Sequence, residues 1–191
     1  MDIGCGDVDY FSKVLANNNL WSRVKSYTGV DLSTPAIEIG NKNVRRVALS
    51  AAKISFFVDD MLSFVKKTPE RTYDFVFASL AIHHLQDTEK SYLVKEVHRV
   101  LKPSGVFLIV DIFLEENEDR ADFVQHVSNH ICQDWVKLND EQTKNVIQHM
   151  STFDFPSKLS QYQKWATEDS HYKQMKCIEQ VRFYKTIVLE V

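Results

Sequence analysis

The sequence predicts an α/β protein: a Rossmann-like, doubly wound, mostly parallel sheet with an antiparallel C-terminal edge strand and a helical insert before the last strands. Three observations predict it. Strand-like and helix-like segments alternate up to Phe113, as in a sheet with helices on both faces. Val106–Phe113 is almost free of polar residues, which a strand covered on both faces requires. Residues 177–191 hold one or two strand-like runs joined near 180–182, suited to an antiparallel hairpin at a sheet edge. At about 150 residues per domain, 191 residues make a single domain, 1–191.

Residues 1–3 read as the tail of a first strand. Asp9–Asn18 reads as a helix with Phe11, Val14 and Leu15 on one face, ended by a run of asparagines. Ser26–Leu32 is the second strand. Ser33-Thr34-Pro35, a cap residue followed by a proline in the first turn, opens a helix running to about Ala51. Ile54–Val58 and Tyr73–Leu80, apolar and rich in β-branched and aromatic residues, are the third and fourth strands. Asp87 is the expected N-cap of a helix over Thr88–Leu101, with Leu93, Val97, Val100 and Leu101 on one face. Lys102-Pro103-Ser104-Gly105 stops it before the strand Val106–Phe113. Residues 114–172 are polar, with helical patches at Phe123–Trp135 and Glu141–Met150, and form the cap or insert. Phe123, Val127, Ile131 and Trp135 recur every four residues, a stripe that reads as core packing.

Composition excludes several classes. The chain is 44% hydrophobic and 26% charged, as ordinary globular proteins are. Its longest fully apolar stretch, Val106–Val110, is far short of the ~20 residues that span a bilayer, so no membrane partner is expected. No charged segment followed by an apolar one opens the chain, which points to a cytosolic protein. With 23 basic and 26 acidic residues, the net charge of −3 offers no excess to neutralise a nucleic-acid backbone. Lys42, Arg45 and Arg46 read as the wet face of a helix. Cys5, Cys132 and Cys177 form no CxxC pair and read as reduced thiols.

The most informative segment is Asp2-Ile3-Gly4-Cys5-Gly6-Asp7. An acid closes a strand, and a Gly-x-Gly turn opens a helix where a Cβ would keep the backbone from a ligand. Asp31 ends the second strand somewhat more than ~20 residues on, where a carboxylate that accepts from ribose hydroxyls is expected. Asp59 and Asp60 end the third strand, and one of them is placed to accept from an adenine amine. Singly, each acid reads more readily as a helix cap or a solvated strand end; in order, each at a strand end, they point to a nucleoside site.

This ordered set resembles the class I S-adenosylmethionine-dependent methyltransferases. The motifs are Asp2-Ile3-Gly4-Cys5-Gly6, Gly29-Val30-Asp31-Leu32-Ser33 and Asp60-Met61. Tyr73 to Leu85 is similar to the family's fourth-strand motif, and Leu101 to Phe107 to the turn into its fifth strand. The resemblance covers residues 1–113 and, more loosely, the last strands. It implies S-adenosyl-L-methionine as cofactor, with roles for individual residues. The backbone of Gly4, Cys5 and Gly6 would contact the methionine portion, and Asp2 would sit near its amino group. Asp31 would bind the ribose and Leu32 flank the adenine. Asp60 would accept from the adenine amine, and the Met61 backbone would meet a ring nitrogen. Ala78 and Ser79 would present backbone groups near the sulfonium.

Two departures stand out. The family's third loop glycine falls on Val8, which narrows the approach to the cofactor. Met1 immediately precedes Asp2, so most of the expected first strand is missing; a chain that begins upstream is the expected explanation, and a true short form the alternative. His83 and His84 follow the fourth strand. His83 is the candidate catalytic base, against the alternative that the pair caps the loop and packs. Ala81 and Ile82 stand where related enzymes carry metal-binding acids, so no metal is expected. His126 and His130, four apart on a helix, read as a surface pair because Val127 replaces the glutamate of a zinc-protease helix. The expected reaction is in-line transfer of a methyl group to a small-molecule acceptor, with Trp135, Phe153, Phe155 and Trp165 as candidate aromatic lining. The rivals are a non-catalytic binding or regulatory protein and a nicotinamide oxidoreductase. The second is disfavoured because Asp9 stands in place of a dinucleotide-type third glycine.

Overall fold

A computed structural model describes residues 1–47 and 52–191. The first strand β1 (Asp2–Ile3) leads through the glycine turn into α1 (Asp9–Asn17). Then come β2 (Ser26–Asp31), α2 (Thr34–Val47), β3 (Lys53–Val58), α3 (Met61–Lys67), β4 (Tyr73–Ser79) and α4 (Asp87–Val100). The chain continues through β5 (Leu101–Leu114), α5 (Arg120–Asp134), α6 (Asp140–Phe153), β6 (Ser157–Lys158) and α7 (Leu159–Lys164). It closes with β7 (Gln174–Val181) and β8 (Tyr184–Glu190).

The strands form a sheet in the order β3-β2-β1-β4-β5-β8-β7, with the short β6 paired to β5. β1 to β5 pair in parallel; β8 runs antiparallel to β5, and β7 antiparallel to β8. This is the doubly wound sheet with an antiparallel edge that the sequence predicts. The turn Lys102–Gly105 lies inside β5 as a looped-out segment: Tyr73 pairs with Leu101, but Phe75 pairs with Val106.

Alternate residues of β4 show how the two faces are covered. The Phe77 ring stacks on Phe11 of α1 with centroids 4.7 Å apart. Its neighbours Val76 and Ala78 point the other way, into a core with Val65 of α3 and Leu93, Val94 and Val97 of α4. A smaller cluster of Val8, Trp21, Tyr27 and Val44 fills the α1–α2 side. A third cluster, Ile112, Leu114, Phe123, Val127, Ile131, Met150 and Phe183, joins α5 and α6 to the ends of β5 and β8. The four-residue stripe of α5 is therefore core at Phe123, Val127 and Ile131, while Trp135 is 38% exposed.

Several boundaries differ from expectation. The helix expected to reach Ala51 is helical to Val47, and positions 48–51 lie outside the described residues. The sequence reading missed α3, although Asp60 caps it by accepting from the Ser63 N–H at 2.9 Å. Asp87 does not cap α4. It is the first helical residue, and its carboxylate instead accepts from Ser157 Oγ and the Gln161 side chain, both at 2.6 Å. Asp119 caps α5 and Asn139 caps α6 through their side chains. Among the described residues, no helix is long and apolar enough to cross a membrane.

Candidate active site

The strand order reverses direction between β1 and β4, and open α/β sheets bind ligands beyond the strand ends at such a point. A cleft of about 580 Å³ lies there, lined by Asp2, Gly4–Phe11, Val30–Leu32, Asp59–Met61, Phe77 and Ser79–Ala81, with His84 and Leu85. That volume suits a drug-sized ligand.

The glycine turn is built for close approach. Gly4 and Gly6 hold left-handed φ values of +65° and +53°. A Cβ on Gly4 would lie 2.3 Å from the Ala81 Cβ, so this glycine lets the β1 turn pack on the β4 turn. A Cβ on Gly6 would meet no atom of the described residues within 4 Å, so this glycine leaves cleft space open. Val8 also takes a left-handed φ of 54°, an uncommon conformation for a β-branched residue. It is buried against Gly40, where a Cβ would come within 3.1 Å of Val8 Cγ2.

The acids play distinct parts. Asp31 Oδ2 accepts from the Gly6 N–H and Oδ1 from the Ser33 N–H, both at 2.8 Å. Each oxygen keeps a lone pair for a ligand. Asp60 spends Oδ1 on its helix cap. Asp59 is tied to Lys67 at 3.1 Å and to the Asp60 N–H at 2.9 Å. Asp2, 3% exposed, accepts from the Tyr27 hydroxyl at 2.7 Å. Burial lifts its carboxyl to about 7, assisted by the charge of Asp31 and opposed by the Tyr27 bond. Burial also pushes the Cys5 thiol and the Tyr27 hydroxyl upward. Leu32, a large apolar side chain 72% exposed at the cleft, offers a hydrophobic surface, with Met61 also on the wall.

Asp2, Gly4, Cys5, Gly6, Asp31, Leu32, Asp60, Met61 and Ser79 are thus brought together around one cleft. Two candidates are not. Ala78 is 1% exposed and belongs to the core on the α4 side of the sheet. His83 is 7% exposed and turned away from the cleft; its Nδ1 lies 2.5 Å from Asp111 Oδ1. Asp111 also accepts from the N–H groups of Ile82 and His83 at 3.0 Å and of Ile112 at 2.8 Å. His84 lines the cleft instead. Its imidazole is raised above its usual range, chiefly by the Asp154 carboxylate beside it.

A second, mostly apolar cavity of about 330 Å³ lies between α5, α6 and β8. Ile112, Phe123, Ile131, Trp135, Met150 and Phe183 supply apolar lining, and His149 and Asp154 a polar margin. A lining residue of one cavity touches a lining residue of the other: His84 Nδ1 stands 3.3 Å from Asp154 Oδ1. Of the aromatic candidates, Trp135 lines this cavity, Trp165 lies in the main core, Phe155 lies beneath the Arg120 guanidinium, and Phe153 packs on His149. His126 and His130 engage Glu118 and Asp134 separately, as a surface pair would. Asp111 and Asp154 are the site residues that the sequence reading missed, because only the fold brings them to the histidines.

Residues 1–109 match the methyltransferase domain family. Among curated relatives, the chain is similar to the uncharacterized methyltransferase YcgJ of Bacillus subtilis strain 168. They are 29% identical over 105 residues, 55% of this chain and 39% of that protein. It is also similar to the phosphoethanolamine N-methyltransferase of Plasmodium falciparum isolate 3D7, at 31% identity over 94 residues, 49% of this chain and 33% of that protein. The chain thus spans well under half the length of either relative. The crystal structure of a SAM-dependent methyltransferase from Methanosarcina mazei superposes with a TM-score of 0.65, covering 99% of this chain and 90% of that one at 19% identity.

Proposed function

The chain belongs to the methyltransferase domain family, and from that premise we propose that it transfers a methyl group from S-adenosyl-L-methionine to an apolar small-molecule acceptor. The observation that carries the reading is the cleft in which Asp31, the Gly4–Gly6 turn and the exposed Leu32 converge. The residues fit the cofactor. Asp31 retains lone pairs for ribose hydroxyls, Leu32 and Met61 offer apolar contact to adenine, and the open space over Gly6 admits the methionine chain.

When bound, S-adenosylmethionine supplies an already activated methyl on a sulfonium. The protein's task is placement and electrostatics. Asp31 binds the ribose. Asp60, its Oδ1 occupied by Ser63, offers Oδ2 to the adenine amine, and the Met61 backbone offers its amide to the ring. The Asp2 carboxylate would pair with the cofactor's ammonium, and the backbone at Ser79 would border its sulfonium end. Residues 114–172 act as the cap over the acceptor, which occupies the apolar cavity between α5 and α6. His84, at the junction of the two cavities, borders the reacting group in place of His83.

The small-molecule reading draws support from the Plasmodium relative named for phosphoethanolamine, and the acceptor's apolar character from the cavity's lining alone. The test is transfer of labelled methyl from S-adenosylmethionine to a panel of apolar alcohols, phenols and amines. The expected result is turnover whose acceptor KM rises in Val146→Trp, which narrows the second cavity, while cofactor affinity stays unchanged. Turnover indifferent to that substitution would place the acceptor elsewhere.

A further inference from the structure

We propose that His83, His84 and Asp154 form a binding site for a divalent transition-metal ion, zinc foremost, at the junction of the two cavities. One donor atom from each of the three lies within 4.8 Å of the others. Asp154 Oδ1 is the hub: His84 Nδ1 is 3.3 Å away, His83 Nε2 3.6 Å and His149 Nε2 3.8 Å. His84 Nδ1 also donates to the Phe153 carbonyl at 3.2 Å, a hydrogen bond and a proton that an ion would displace. In a tetrahedral zinc site with bonds of about 2.0–2.1 Å, neighbouring donors stand about 3.3–3.4 Å apart. The two distances to Asp154 Oδ1 are close to that spacing, and the two histidine donors lie within 4.8 Å of each other.

Two further observations point to a cation. Asp154 is 8% exposed, and its buried Oδ1 has no hydrogen-bond donor among the described residues. A buried carboxylate oxygen there calls for positive charge, which a bound cation supplies when the imidazoles around it are neutral. The second concerns His83. Asp111 already accepts three backbone N–H groups, and its Oδ1 meets His83 Nδ1 at 2.5 Å. Nδ1 therefore carries the proton, and Nε2 presents its lone pair to Asp154. This is the carboxylate–histidine–metal relay in which an outer acid fixes the tautomer of a ligand. A proton between Nε2 and Oδ1 would draw them to hydrogen-bond length, and 3.6 Å is too long for that.

The cluster is held from behind. The Phe155 N–H donates to the His83 carbonyl at 2.7 Å, and Arg120 Nε donates to the Asp154 carbonyl at 2.8 Å. Lys90 Nζ donates to the Phe155 carbonyl and to Ser157 Oγ. The sequence reading expected no metal because only Ala81 and Ile82 flank the histidines; the acid arrives from beyond α6. Three protein ligands leave an ion a fourth position, which His149 Nε2, 3.8 Å from Asp154 Oδ1, or a ligand from the cavity would take. His84 lines the cofactor cleft and Asp154 the apolar cavity, so an acceptor oxygen or amine is the ligand that position suits. That last role rests on the methyltransferase reading; ion binding does not.

The test titrates tag-free, chelator-treated protein with Zn²⁺ by calorimetry and with Co²⁺ by visible absorption, without cofactor. The expected result is a single equivalent of each ion, a tetrahedral Co²⁺ spectrum, and Zn²⁺ affinity lowered at least about tenfold in His84→Gln and in Asp154→Asn. His126→Gln, outside the cluster, keeps wild-type affinity. Circular dichroism confirms that each variant is folded; His84 is exposed enough that its replacement leaves the core intact. No uptake by the wild type, or a folded His84→Gln protein that binds as tightly as wild type, overturns the proposal. Because no cofactor is present, either failure leaves the methyl-transfer reading standing, and loss of that reading leaves the ion site standing.

Discussion

Gly6 donates its backbone N–H to Oδ2 of Asp31 across 2.8 Å, joining two residues 25 positions apart. The glycine turn and the acid of β2 are therefore one unit, and the same carboxylate holds the Ser33 N–H at the start of α2. Asp31→Ala should lose ribose binding and loosen the turn together. Hydrogen bonds to a charged group contribute about 1.5–3 kcal/mol, so affinity for S-adenosylhomocysteine should fall about 10- to 100-fold by calorimetry. The thermal midpoint should fall with it.

The two loop glycines should fail differently. Gly4→Ala forces a Cβ to 2.3 Å from the Ala81 Cβ at φ +65°, so it should lower the thermal midpoint sharply. Gly6→Ala meets no atom of the described residues and carries the left-handed backbone cost, of order 1 kcal/mol. Its stability should change little while cofactor affinity drops, because the new methyl occupies cleft space. Melting curves and calorimetry on both variants separate the effects.

Asp2 should make cofactor binding and stability depend on pH in opposite senses. Its carboxyl titrates near 7 in the folded chain against an ordinary 3.8. Between those values the folded state keeps a proton that the unfolded state has released. This group's contribution to stability is therefore full below about 4 and is lost as pH rises through about 7, by up to about 1.4 kcal/mol per pH unit. A ligand ammonium prefers the charged carboxylate, so affinity for S-adenosylhomocysteine should rise through the same pH. Asp2→Asn should flatten both profiles.

Lys90 should produce the reverse trend at higher pH. Its side chain is fully buried, and burial lowers its amine to about 8 from 10.5, opposed by the charge of Asp87. Between those values the unfolded state holds the proton that the folded state has given up, so this group's contribution to stability rises with pH. In Lys90→Met that rise should vanish in chemical denaturation from pH 8 to 10. The segment at Phe155–Ser157, which the lysine anchors, should become more accessible to hydrogen exchange.

The parallel half of the fold was legible because its signals are local. An apolar run marks β5, a proline after a cap residue marks α2, and acids mark the ends of β2 and β3. The cleft was legible for the same reason, since its glycines and acids lie at strand ends that alternation locates. Contacts between distant segments were not. His83 and His84 are indistinguishable by sequence, and only the bond to Asp111 buries the first and leaves the second on the cleft. Asp154 reads as a residue in a polar insert until Arg120, Lys90 and the His83 carbonyl draw its segment against the β4 turn. The helix α3 was overlooked because its seven residues are too few for a periodic pattern, though its cap at Asp60 was in view.

The central claim is that the cleft at Gly4–Gly6 and Asp31 binds the methyl donor. Calorimetric titration with S-adenosylhomocysteine, with NAD as control, tests it most directly. The account predicts micromolar binding of S-adenosylhomocysteine that is weakened in Asp31→Ala, and none of NAD. No binding of S-adenosylhomocysteine, or equal binding of NAD, would contradict it.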